Sequence, residues 1–149
     1  MRLLLVFLFL GIALETSAAS IEARLVRASN DKKTVDQNLK EIEPKLKKRF
    51  GSDYYQQLGV QQDALEDNKT SRLNLGEGFV VFVTPRSSSK KSHELDLEWT
   101  SGRASLVKTT VKISDGNYLF IKGPGVANDW ILLVITIHDQ TSGVSRTRS

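Results

Sequence analysis

Hydrophobic and polar residues alternate from Ile21 to Ser29. Ile21, Ala23 and Leu25 fall on one side and Glu22 and Arg24 on the other, the two-residue period of a half-buried strand. The period then lengthens. Val35, Leu39, Ile42, Leu46 and Phe50 recur every three or four residues, which predicts helix over 35–50, with Gly51 placed to end it. Thr34 and Gln37 have the spacing of a capping box. Pro44 removes a hydrogen bond in mid-run, so the spacing predicts two short helices, the second starting at Pro44.

Beyond Gly51 the short period returns. Tyr54–Val60 reads as a strand and 61–70 as a polar loop. Further strands follow at 73–75, 79–84, 94–99, 105–113, 118–122 and 130–138, in the manner of a β-meander. The serine-rich stretch 85–92 reads as a hairpin loop, and Gly123–Asp129 as a connection long enough to bind something. Asp115-Gly116 is a two-residue turn signal that would pair Ile113 with Tyr118 and Val111 with Phe120. In the preceding hairpin, Leu95, Leu97 and Trp99 point inward opposite Thr109, Val107 and Ser105, while Glu94, Asp96 and Glu98 face solvent beside Lys108 and Lys112. Trp130–Ile137 is apolar on both faces, and so is Phe79–Val83, which predicts two strands covered on both sides. The fold class that results is mainly β: an antiparallel β-sandwich or partly open barrel, with a short helical segment near the N-terminus closing one end or face.

Residues 1–19 have the pattern of a cleaved signal peptide. Arg2 precedes an apolar run from Leu3 to Leu14, and Ser17-Ala18-Ala19 supplies the small residues of a cleavage site after Ala19. The run is short for a bilayer-spanning helix, which favours cleavage over an uncleaved membrane anchor, and the longest later apolar run, Trp130 to Ile137, is of strand length, so the chain after cleavage is expected not to be transmembrane. Residues 20–140 then form a single β-rich domain, and 141–149 a polar tail expected to be disordered. The chain of 149 residues contains no cysteine, which excludes disulfides, thiolate nucleophiles and cysteine metal sites. An exported domain without disulfides points to a bacterial periplasmic or extracellular protein, in which Asn68-Lys69-Thr70 is a chance sequon. The net charge of +4 survives loss of the leader, which carries one Arg and one Glu.

Candidate chemistry is sparse. Lys40, Lys45, Lys47, Lys48 and Arg49 form a basic cluster on the helix, extendable by Arg27, Lys32 and Lys33; it is either a solvated face or a contact for an anion or partner. Tyr54 and Tyr55 either stack a sugar or base or, the simpler use, divide between core and sheet edge. His93 and His138 stand at opposite strand ends with neither a nucleophile elbow nor a metal-ligand spacing around them. The glycine pairs at 76–78 and 123–125 join strand to strand, unlike phosphate-cradling loops, which lead into a helix. No catalytic, cofactor or metal residue is therefore assigned.

The segments Ala23–Asn30, Leu46-Lys47-Lys48-Arg49-Phe50 and Tyr54-Tyr55-Gln56-Gln57-Leu58, with Val107–Val111, Asp115-Gly116 and Gly123-Pro124 before an apolar last strand, resemble an uncharacterised family of small exported bacterial β-rich proteins. The resemblance implies export and a β-rich fold, and no activity or functional residue. The reading that follows is a non-enzymatic exported module that contacts another envelope or secreted protein through a sheet edge or helix face. Binding of an anionic polymer or lipid head group through residues 40–49 is the alternative, and a hydrolase using His138 the third. Nucleic acid is disfavoured as a partner.

Overall fold

The structure, a computed structural model, describes residues 19–31, 35–88, 91–126 and 128–139. The leader before Ala19, Thr34 of the capping box, Lys32 and Lys33, Ser89 and Lys90, and the tail from residue 140 lie outside the described residues. The chain runs β1 (Ala19–Ser29), a 3-10 turn (Gln37–Leu39), α1 (Glu43–Phe50), β2 (Tyr54–Ala64), β3 (Ser71–Gly76), β4 (Phe79–Ser88), β5 (Ser92–Ser101), β6 (Ala104–Ser114), β7 (Tyr118–Val126) and β8 (Asp129–Asp139).

Two antiparallel four-stranded sheets stack as a sandwich. The first has the order β2-β1-β8-β7 and the second the meander β3-β4-β5-β6. Alternation decides what each strand places between them. Ile21, Ala23 and Leu25 of β1 and Ile131, Leu133, Ile135 and Ile137 of β8 meet Val81, Val83, Leu95, Leu97 and Trp99 of the second sheet. Each such valine, leucine or isoleucine side chain taken out of water contributes about 1.5–3 kcal/mol. The opposite faces of β1 and β8 carry Val26, Ala28, Leu132 and Val134, and these form a second, smaller core with Leu39, Ile42 and Leu46. The molecule is therefore three layers at that point: helix, first sheet, second sheet.

Local signals place the helix as its residues predict. Pro44 lies in the first turn, Glu43 opens it and Lys47, Lys48 and Arg49 fill the last turn, all favourable to the helix dipole. Gly51 adopts φ 72° and donates its amide to the Lys47 carbonyl at 2.9 Å, closing the helix in the left-handed conformation that glycine takes without strain. The 3-10 turn is capped by Asp36, whose Oδ1 accepts from the Asn38 amide.

Four expectations are corrected. Ile131–Ile137 lies in a central strand and is covered on both sides, with Trp130 exposed at its start, but Phe79–Val83 is not so covered: Val80 and Phe82 remain half-exposed, because α1 covers the first sheet only. The Asp115-Gly116 turn does form, with the Asn117 amide bonded to the Ser114 carbonyl at 3.1 Å, yet it joins no hairpin. It carries the chain across the sandwich, so Tyr118 pairs with Thr136 and Phe120 with Val134 rather than with β6. In the β5–β6 hairpin the inward residues are those expected, but a bulge between Trp99 and Thr100 shifts the partners to Val111, Thr109 and Val107 for Leu95, Leu97 and Trp99. Glu94 faces Lys112 and Glu98 faces Lys108, so the charge complementarity holds. Finally, three predicted loops contain strand: 61–64 continue β2, 85–88 continue β4 and 123–126 continue β7, the last two through bulges.

Candidate binding surfaces

The basic cluster of α1 does not act as one patch. Lys47 Nζ pairs with Glu43 Oε1 at 2.8 Å, one turn back, and this contact raises the lysine's pKa. With Lys40, Val35, Gln37 and Pro44 that pair borders an open hollow of about 450 Å³ on one flank of the helix. Lys45 and Arg49 lie on the other flank. Lys45 Nζ stands 4.7 Å above the Tyr118 ring and the Arg49 guanidinium 5.7 Å from the Phe120 ring. Lys48 is exposed, and Arg27 pairs with Asp129 at 2.9 Å.

The rings under Lys45 and Arg49, Tyr118 and Phe120, belong to an aromatic strip whose third member, Phe50, lies 70 residues before Phe120 in sequence, so no local signal joins them. Phe50 meets Phe120 edge to face at 6.2 Å, and Tyr118 stacks on Phe120 at 6.0 Å. Farther along the same hairpin, Lys122 Nζ sits 3.5 Å from the centre of the Trp130 ring, and Trp130 is 42% exposed. Tyr55 has the structural role: it is buried in the helix-side core, donates its hydroxyl to the Leu46 carbonyl at 3.0 Å and accepts from the Ser52 amide. Burial raises its pKa. Tyr54 occupies the start of the edge strand β2, half-buried.

Where α1 no longer covers the first sheet, its outer face turns polar. Glu22, 6% exposed, accepts from Arg24 Nε at 2.6 Å and from Gln62 Nε2. Arg24 Nη1 donates to the Asn38 carbonyl at 2.7 Å and to Gln57 Oε1 at 3.1 Å, and the Gln57 amide donates to Asp36 at 2.9 Å. Burial pushes the Glu22 carboxyl up, but the hydrogen bonds from Gln62 and Arg24 and the charge of Arg24 outweigh it and hold the group below its ordinary value. The groove these residues share with Val60 measures about 550 Å³.

His93 is buried and its Nε2 lies 2.7 Å from Asp115 Oδ1, which ties the start of β5 to the crossing turn. His138, at the exposed end of β8, pairs across the ladder with Ser20, and Glu22 lies near enough for the two charges to interact. A serine, a histidine and an acid thus share one face. Among the described residues, however, no hydrogen bond links Ser20 to His138, and both Glu22 oxygens are taken by Arg24 and Gln62. Among the described residues, no group of three or more His, Asp or Glu side chains could hold a metal ion.

The remaining surface of note is an edge. β6 is eleven residues long, bonds only to β5, and is exposed or half-exposed along its whole length except at Ile113. Its inward residues Val107 and Val111 lie at the rim of the core, together with Leu119 and Ile121 of β7, and no backbone ladder joins the two strands.

No helix among the described residues is long and apolar enough to cross a membrane. No family model matches the chain, and no curated protein does. Among solved structures, the T2SS secretin XcpQ from Pseudomonas aeruginosa is similar over 87% of this chain, at 11% identity and a TM-score of 0.42; the chain spans 61% of that chain's length.

Proposed function

We propose that this chain is an exported, non-enzymatic binding module that takes up an extended segment of another protein along β6. The observation that carries the reading is the unpaired outer edge of β6 beside the open rim formed with β7. A strand added there would gain main-chain hydrogen bonds, and its side chains would alternate between two environments. One set would lie beside Val107 and Val111 and favour apolar residues. The other would lie beside Lys108 and Lys112 on the solvent face and favour acids. The same lysines oppose pairing of two β6 edges, since a like edge would bring cations together. Export is supported by the leader pattern of residues 1–19.

The test uses a synthetic peptide alternating glutamate with valine, and a second peptide with lysine in place of glutamate. The expected result is that the native protein binds the acidic peptide with new hydrogen-exchange protection in β6, and that Lys108→Glu combined with Lys112→Glu reverses the preference. Protection elsewhere, or a variant with unchanged preference, would overturn the reading.

A further inference from the structure

The outer face of the β7–β8 hairpin carries three cation–ring pairs in succession: Lys45 on Tyr118, Arg49 on Phe120 and Lys122 on Trp130. Their spacing is set by two regular structures running side by side. Lys45 and Arg49 are one helical turn apart, about 6 Å of rise. Tyr118, Phe120 and Lys122 are alternate residues of a strand, about 6.8 Å per step. The two intervals nearly match, so each turn of α1 delivers a cation to the next ring of β7.

What distinguishes this row from the other flank of α1 is charge. Lys47 is neutralised by Glu43, whereas a ring holds a cation in place without cancelling it. The outer positions of the hairpin, Tyr118, Phe120 and Lys122 on β7 and Trp130, Leu132, Val134 and Thr136 on β8, include no acid. The result is a row of oriented positive charges without an acid among those outer positions, the first two about 6–7 Å apart and the third held over Trp130 beyond the bulge in β7, with part of the ordering cost of binding met before a ligand arrives.

From this arrangement we infer a site for a linear polyanion, a phosphodiester polymer without bases of the poly(glycerol phosphate) type, laid along β7 over Lys45, Arg49 and Lys122. A single row suits a chain better than a membrane plane. The guanidinium fork and the ammonium groups suit phosphate oxygens. Bases have little to stack on at Tyr118 and Phe120, where Lys45 and Arg49 already overlie the rings, and only Trp130 keeps an exposed ring surface. This site is separate from the β6 edge and stands or falls independently of it.

The test measures binding of fluorescent poly(glycerol phosphate) by anisotropy between about 50 and 200 mM salt, the range over which counterion release is read. Three contacts predict a slope of log affinity against log salt of about −2, and Lys45→Gln, Arg49→Gln and Lys122→Gln should each make it shallower by about 0.7. Lys69→Gln, in the β2–β3 connection, should leave it unchanged. Circular dichroism confirms that each variant is folded. An oligothymidylate of equal phosphate number should bind no more tightly than the base-free polymer. A slope unmoved by the three variants, tighter binding of the oligothymidylate, or binding confined to vesicles containing anionic phospholipid would overturn the site.

Discussion

The two long sides of the sandwich are closed in opposite ways. On one side β2 of the first sheet meets β3 of the second, and Gly59 makes the approach: a Cβ there would lie 1.9 Å from the Leu75 carbonyl oxygen. Backbone touches backbone with no room for a side chain. On the other side β6 and β7 stay apart, and the rim between them is left to half-buried Leu106, Val107, Val111, Leu119 and Ile121. Near that rim, among the described residues, the comparable position is Gly123 on β7, where a Cβ would lie 2.2 Å from the Trp99 ring and farther, 3.0 Å, from the Ile131 carbonyl oxygen. One side is sealed by main chain and the other is padded by side chains, so the second is the side on which an added strand can be accommodated.

This contrast is open to direct test. Gly59→Ala should be the most damaging single change, because a strand must shift to admit it; we expect a loss of about 3 kcal/mol in chemical denaturation. A loss below about 1 kcal/mol would mean the β2–β3 side is not rigidly sealed. Gly123→Ala should cost less, about 2 kcal/mol, since its severe clash is with a side chain and its approach to a carbonyl oxygen, 3.0 Å at Ile131, is much looser than the 1.9 Å at Gly59. Equal losses at the two glycines would erase the distinction.

A smaller effect belongs to the polar face beside the sealed side. Glu22 is held below its ordinary pKa in the folded state, so its ionised form favours folding. That contribution is complete above the unfolded value of about 4.3 and is lost as pH falls through the lower folded value. Glu22→Gln should therefore cost about 1 kcal/mol at neutral pH. The gap between variant and native protein should close as the solution is acidified below that range; a gap that widens in acid would reverse the sign. The smallest effect is expected at the open side. Thr109 faces inward yet is exposed, and Thr109→Val should change stability by no more than about 0.5 kcal/mol.

Features written in local period were legible from sequence. The doubly apolar strand from Ile131 to Ile137, the proline in the first turn and the Gly51 stop of α1, and the inward set Leu95, Leu97 and Trp99 were all readable, although Trp130 is exposed and α1 opens one residue before Pro44. Features that depend on which partner a strand finds were not. Asp115-Gly116 signals a reversal but says nothing of whether the chain returns along its own sheet or crosses to the other. Residues 61–64 are an exposed end of an edge strand, so no alternation betrays them. The candidate cations were visible as a group, but their division into a neutralised flank and a ring-held flank depends on Tyr118 and Phe120, which the fold brings in from a distant strand.

The strand order also sets the sequence in which the halves can be completed. The meander β3-β4-β5-β6 is assembled from neighbours along the chain and can close hairpin by hairpin, whereas β1 needs β8 against one of its edges, some 110 residues downstream. Until that last strand arrives, the apolar surfaces of β1 have no lasting cover on that edge. A chain emerging from its N-terminus would complete one sheet early and the other only when its last strand has been made.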